Sequence, residues 1–126
     1  MSFSVTSSSN GNAITFLEQL RAAKLVEEFD RFGKMGVDAL SKATPIESGE
    51  TARAWDYVIV TKPNEVEIRW TNSHVNDGEN IAILIQYGHG TGTGGYIPGK
   101  DYINPAIRPV FDQIVSDIVK KVNRGR

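Results

Sequence analysis

Between Trp55 and Thr71 the chain carries a pattern that suits only one kind of element. Glu65 to Thr71 alternates strictly, with Val66, Ile68 and Trp70 on one side and Glu65, Glu67 and Arg69 on the other. A period of two belongs to a strand, and the charged set places one face of its sheet in water. The preceding run, Trp55 to Thr61, is rich in β-branched and aromatic residues, and Lys62-Pro63-Asn64 supplies the turn chemistry between the two. Together they predict an antiparallel hairpin with a single apolar face. Such a face needs a cover, and a C-terminal helix packed on the sheet is expected to supply it.

Helical periodicity flanks the hairpin. From Ala13 to about Ala43, Leu17, Leu20, Leu25, Phe29, Phe32, Ala39 and Ala43 recur at steps of three to five residues, with one step of seven, and Asn12 is a candidate N-cap. Gly33 and Gly36 mark either a break into two helices or a place where another backbone packs closely, since glycine in a helix interior costs about 1 kcal/mol relative to alanine. Pro45 ends the run, because the residue before a proline is pushed out of the α region. Asn104-Pro105 reads as N-cap and first helical position of a last helix. Its apolar stripe is Ile107, Val110, Phe111, Ile114, Val115, Ile118 and Val122, with Pro109 one turn in.

The remaining segments are less regular. Residues 1–12 read as a flexible N-terminal tail, 13–123 as one α+β structural domain, and 124–126 as a basic C-terminal end. Asn72 to Asn80 is a polar loop. Ile81 to Gln86 is a short apolar run in which periodicity does not separate strand from helix. Gly88, Gly90, Gly92, Gly94, Gly95 and Gly99 crowd one segment, which is expected to be too flexible for regular structure.

Composition narrows the function classes. With 40% hydrophobic and 23% charged residues, disorder of the whole chain is not expected. A formal net charge of −1 gives no global field for holding nucleic acid. The cations Lys120, Lys121, Arg124 and Arg126 suit the negative end of a terminal helix better than a phosphate backbone. The absence of cysteine removes disulfides, thiolate metal sites and cysteine nucleophiles. No apolar leader or span-length apolar run occurs, so a soluble protein made in the cytoplasm of its cell is expected, with no membrane partner.

Two nucleotide-like strings lie in the glycine segment. Gly90-x-Gly92-x-x-Gly95 matches the dinucleotide fingerprint, but Tyr96-Ile97-Pro98 follows where a helix must start to hold pyrophosphate. Gly94-x-x-x-x-Gly99-Lys100 matches a phosphate loop up to its last position, where Asp101 replaces the Mg²⁺-binding hydroxyl, and Pro98 removes one N–H from the cradle. His74 and His89 are too few for a three-histidine metal site, and a mixed site with Asp77 or Glu79 reads as solvated loop residues. No Gly-x-Ser-x-Gly elbow occurs, and Glu65 and Glu67 fall on the wet face of the hairpin. No catalytic residue, cofactor or metal is expected.

Three stretches, in order, resemble a family of tailed-bacteriophage minor structural proteins, the small neck, head–tail joining or tail-completion proteins. Ala43-Thr44-Pro45-Ile46-Glu47-Ser48-Gly49 followed by Ala52-Arg53 is similar to the family's "A-P-V-D-T-G-x-L-R" signature, with one extra residue before Arg53 and Ala52 in place of leucine. Ile85-Gln86-Tyr87-Gly88-His89-Gly90-Thr91 resembles its apolar run ending in "E-x-G-T", and Tyr102-Ile103-Asn104-Pro105-Ala106 resembles the "F-[LI]-x-P-A" start of a C-terminal helix.

The resemblance favours a short helix over Ile81 to Gln86 and implies a non-enzymatic virion protein at the head–tail junction or tail end, present in the host cytoplasm during assembly. Copies would form a hexameric or dodecameric ring against portal-side or tail proteins, with DNA passing through and no sequence-specific contact. Gly88, His89, Gly90, Thr91, Gly92, Gly94, Gly95, Tyr96, Gly99 and Lys100 form the candidate subunit-contact loop, with His89 and Tyr96 as anchors. Pro45, Gly49, Arg53, Tyr87, Tyr102, Pro105 and Ala106 are the family-like structural positions. A tail-terminator ring is a close variant. A small nucleotide-binding enzyme and a monomeric adaptor are the readings of other classes.

Overall fold

Trp70 points its indole into the face of a helix, and the rest of the architecture is arranged around that contact. The computed structural model describes residues 1–6, 25–45, 49–63 and 65–124. Within them the chain is α+β, as the patterning predicts. A three-stranded antiparallel sheet is built from β1 (Ser2–Thr6), β2 (Trp55–Lys62) and β3 (Glu65–Asn72) in the order β1-β3-β2. Its inner face carries α1 (Leu25–Ala43) and α4 (Ile103–Arg124). Two short helices, α2 (Gly49–Ala52) and α3 (Ile81–Tyr87), turn the chain between the layers.

The alternation in β3 does what its period requires. Val66, Ile68 and Trp70 are buried, whereas Glu65, Glu67 and Arg69 lie on the outer face, where Arg69 donates to Glu67 at 2.8 Å. Across the β2–β3 ladder Tyr57 faces Trp70 and Ile59 faces Ile68, so the inner face continues over the hairpin.

The structure corrects the expectation of a loose N-terminal tail. Ser2–Thr6 is a third strand, paired with Glu65–Arg69 of β3. Phe3 and Val5 share a step of two and turn inward, while the serines stay outside, which is a strand pattern in a serine-rich segment. Phe3 stacks against Phe111 of α4, with centroids 5.6 Å apart. The helical pattern over 13–24, its Asn12 cap and the rest of the expected tail lie outside the described residues.

Gly33 and Gly36 neither break α1 nor admit another backbone. The helix runs unbroken through both, and each glycine faces an aromatic ring. A Cβ at Gly33 would overlap the Tyr57 ring, and one at Gly36 would overlap the Trp70 indole. Trp70 Nε1 also donates to the Gly33 carbonyl at 2.9 Å, which satisfies the indole where water does not reach. Tyr57 donates its hydroxyl to Asp30 at 3.1 Å, and burial, with the Asp30 carboxylate second, raises its pKa.

α4 lies beside α1 on the same face. Ile107, Val110 and Ile114 are buried and Phe111 stacks on Trp70, but Val115 is turned to solvent, so the stripe is narrower than its apolar residues suggested. Charged side chains link the outer edges of the two helices. Arg31 reaches Glu28 at 2.6 Å and Asp117 at 2.7 Å, and Lys121 reaches Glu28 at 3.1 Å. These bonds hold both carboxyls below their ordinary range, that of Glu28 through Arg31 first and Lys121 second, that of Asp117 through Arg31. Exposed pairs of this kind contribute about 0–1 kcal/mol each, so they align the helices more than they stabilise them.

The polar loop from Asn72 to Asn80 also has more order than its composition suggests. β4 (Val75–Asn76) and β5 (Glu79–Asn80) form a small hairpin. Asp77 (φ 53°) and Gly78 (φ 79°) supply its two left-handed turn positions.

The glycine notches give a signed test. Gly36→Ala would raise helix propensity by about 1 kcal/mol, yet overpacking the indole costs about 1–3 kcal/mol. The expected outcome is a net loss of stability, read as a lower urea midpoint with unchanged slope. A stabilised variant would show that Trp70 does not seat against this position.

Candidate functional site

The segment from α3 to the start of α4 is built from the base outward. Asn80 caps α3, accepting from the Ile83 N–H at 3.3 Å and donating to the Asn72 carbonyl at 2.8 Å. At the other end Gly88 adopts φ 83° and donates its N–H to Leu84, closing the helix in a conformation that disfavours a side chain. The chain leaves as β6 (Gly88–Gly90), turns, and returns as β7 (Tyr96–Pro98), pairing Gly88 with Pro98, His89 with Ile97 and Gly90 with Tyr96.

The expected irregular loop is therefore a two-stranded finger. Its tip is closed by Thr91 N–H donating to the Gly95 carbonyl at 3.0 Å and Gly95 N–H donating to Thr91 Oγ1 at 3.1 Å, with Gly92 and Gly94 both at positive φ. Local hydrogen bonding, rather than burial, orders this glycine-rich segment.

Its base is tightly fixed. A Cβ at Gly99 would overlap the backbone of Gln86, Tyr87 and Gly88, so the two legs of the finger meet with no room for a side chain. Lys100 N–H donates to the Ile85 carbonyl at 2.9 Å, while its side chain is exposed.

Gln86 is the joint. Its buried Oε1 accepts from the N–H groups of Tyr102 at 3.1 Å and Ile103 at 2.9 Å, and its Nε2 donates to Asp101 at 2.7 Å. It thus caps α4 from a different helix. This corrects the sequence reading of Asn104 as N-cap: α4 begins at Ile103, with Asn104 and Pro105 inside its first turn, where backbone N–H groups have no helical acceptor. Asn104 instead donates to Asp101 at 3.0 Å. Tyr102 packs inside and donates its hydroxyl to the Ala82 carbonyl at 2.9 Å, and burial pushes its pKa up to about 12.

The two expected anchors of the finger separate. His89 and Tyr96 differ by one step along the ladder and so point to opposite faces. Tyr96 is 65% exposed and donates its hydroxyl to the Tyr87 carbonyl at 3.1 Å, next to the 68%-exposed Tyr87. His89 is half-buried, with Nδ1 lacking a partner among the described residues.

Of the nucleotide-like strings, Gly90 to Gly95 closes the finger tip, and Gly94 to Lys100 runs through β7 into the linker before α4. The N–H groups of Tyr102 and Ile103, at the start of the following helix, are already held by Gln86.

The family-like positions Pro45, Gly49 and Arg53 fall elsewhere, on the bend from α1 to β2. Thr44 Oγ1 accepts there from Trp55 Nε1 at 2.9 Å, and Ser41 donates to the Ala52 carbonyl at 2.7 Å.

One constellation escaped sequence reasoning. Thr51 Oγ1 and His74 Nδ1 are 2.7 Å apart, and His74 Nε2 lies 3.6 Å from Glu50. The order hydroxyl–imidazole–carboxylate resembles that of a hydrolase, but Thr51 is fully buried, so its hydroxyl meets no substrate. Asn72 instead donates to the Thr51 carbonyl at 2.8 Å and accepts from the His74 N–H at 2.9 Å. The cluster thus locks α2 to the end of β3. Nothing in the spacing of Thr51 and His74 signals their meeting. Among the described residues no group of three His, Asp or Glu side chains is placed to hold a metal ion, and no helix is long and apolar enough to cross a membrane.

Two outcomes are expected. Gln86→Ala leaves the N–H groups of Tyr102 and Ile103 without partners and the Asp101 carboxylate with the Asn104 bond alone, and should cost about 1–3 kcal/mol. Hydrogen exchange should show protection lost first at residues 102 and 103. For Tyr102, the raised folded pKa means that between about 10, the ordinary tyrosine value, and about 12 the unfolded chain ionises while the folded one stays neutral. Stability should therefore fall with rising pH across that window, on the order of 1 kcal/mol per unit. Tyr102→Phe should reduce that slope in alkaline urea titrations, leaving the part due to Tyr57, whose pKa burial also raises.

No protein-family model, no curated protein and no solved structure matches this chain.

Proposed function

We propose that the chain is a non-enzymatic structural subunit of a tailed-phage virion, part of the ring at the head–tail junction through which DNA passes. The observation that carries this reading is the finger, an exposed two-stranded ribbon that bears Tyr96, on a base fixed by Gln86, Gly99 and Lys100. A rigid two-layer body with one projecting arm suits head-to-tail contact between identical subunits, in which one patch meets a different patch next door. The ordered resemblance of residues 43–53, 85–91 and 102–106 to neck and tail-completion proteins points the same way. A formal charge of −1 gives a channel wall little hold on passing DNA. A tail-terminator ring would use the same parts at the other end of the tail.

Electron microscopy of the purified full chain, alone and mixed with a portal-protein ring, tests the reading. Closed rings of uniform subunit number, or a layer added to the portal, are expected, and calorimetry with ATP, GTP and NAD should give no saturable heat. Saturable nucleotide binding abolished by Lys100→Ala would sink the proposal.

A further inference from the structure

β2 is an edge of the sheet, and among the described residues no strand pairs with its outer side. The ladder fixes which backbone groups point there. The Met1 carbonyl accepts from the Trp70 N–H, so Trp70 turns its backbone groups toward β1, and its cross-strand partner Tyr57 turns its own away from β3. Tyr57, Ile59 and Thr61 therefore direct N–H and C=O groups along the outer edge. The Tyr57 N–H is held by Asp56 Oδ1 at 2.8 Å. Edge strands usually carry a bulge or a proline that stops another strand from adding. β2 runs Trp55–Lys62 in unbroken register with β3 and has neither within it.

We infer that β2 pairs antiparallel with β2 of a second copy of this chain, about a two-fold axis through Ile59, so that the two molecules share one continuous sheet. This dimer is independent of the ring proposed above: an isologous contact closes at two copies, whereas a ring needs two different patches.

The order of residues along the strand names the occupant. About Ile59, Asp56 stands opposite Lys62 of the second copy, Val58 opposite its Val60, and Tyr57 opposite its Thr61. Opposite charges meet at both ends and valine meets valine between them, all on the outer face. Asp56 and Lys62 are exposed, and neither joins an ion pair among the described residues. Val58 is 49% exposed, an apolar side chain on a face that Glu65, Glu67 and Arg69 make polar. A slip of two residues in either direction sets Asp56 or Lys62 opposite a valine, and a slip of one turns the outer face inward. The charges thus fix register more than strength, as exposed pairs do.

Backbone and layers fit the same axis. It pairs the residues whose backbone groups point outward, Tyr57 with Thr61 and Ile59 with its own copy. α1 lies over both β2 and β3, with Gly33 against Tyr57 and Gly36 against Trp70. Its copy therefore falls about two strand spacings away, about 10 Å, the distance at which helices pack. When Lys62 of the second copy draws Asp56 away, the Tyr57 N–H is released to the Thr61 carbonyl across the axis. In the single chain the Asp56 bond covers that donor.

Sedimentation velocity of the full chain across concentration, with circular dichroism to confirm folding, tests the pairing. A concentration-dependent dimer is expected. Asp56→Lys and Lys62→Asp each set like charges opposite at both ends and should weaken it about tenfold. An equimolar mixture of the two variants should restore it, since every end then joins opposite charges. Val58→Cys and Val60→Cys, in a chain without other cysteine, should form a mixed disulfide under mild oxidation in excess over either same-variant dimer. That pair reads the register even where a charge variant fails to fold.

A chain that stays monomeric up to its solubility limit overturns the proposal, as does a dimer that the mixture leaves no stronger than the single variants. Val58→Cys joining Ser4→Cys in preference to Val60→Cys would put β1 of the second copy on this edge, and would overturn it as well.

Discussion

Trp70 seated in the glycine notch of α1 is the contact on which the rest of the structure depends. Gly36 leaves the space, the Gly33 carbonyl takes the indole N–H, and Tyr57 on the neighbouring strand fills the notch one turn earlier. The helix backbone lies directly on two aromatic rings, so its distance and rotation over the hairpin are both set. The other side of the indole meets Phe111, which stacks on Phe3, and this chain of rings carries α4 and β1 into register with the same strand. Two glycines that weaken a helix in isolation thereby specify how it packs.

Around that centre, buried polar side chains do the joining. Thr44 with Trp55, Asn72 with Thr51 and His74, and Gln86 with the start of α4 each pair groups at the end of one element with another element. A buried backbone group without a partner costs about as much as a lost hydrogen bond, so these side chains appear where the chain leaves a helix or a strand inside the protein. The consequence for the finger is direct. Its glycine-rich tip is closed by its own hydrogen bonds, and its two legs are tied to α3 and α4 by Gln86 and Lys100.

The legible parts of the chain were those where a single period dominates. The hairpin, with Val66, Ile68 and Trp70 against Glu65, Glu67 and Arg69, and the apolar stripe through Ile107, Val110 and Ile114 both read correctly. Two of the differences share a cause. Phe3 and Val5 lie in a serine-rich segment whose composition masks their strand spacing, and the glycine segment suggests flexibility although its glycines at positive φ close a paired turn. In both places composition outweighed pattern. The cap of α4 failed differently: Asn104 had the right chemistry for its own helix, but Gln86, distant in sequence, already held the first N–H groups.

By itself, then, the amino-acid order determined the α+β class, the wet and dry faces of the hairpin and the amphipathic C-terminal helix, because each follows from side-chain spacing within one segment. Only the tertiary structure decided what Gly33 and Gly36 accommodate, how Gln86 joins two helices, and that Thr51 and His74 meet. Those depend on which segments lie side by side, and local spacing carries no record of a neighbour that arrives from elsewhere in the chain.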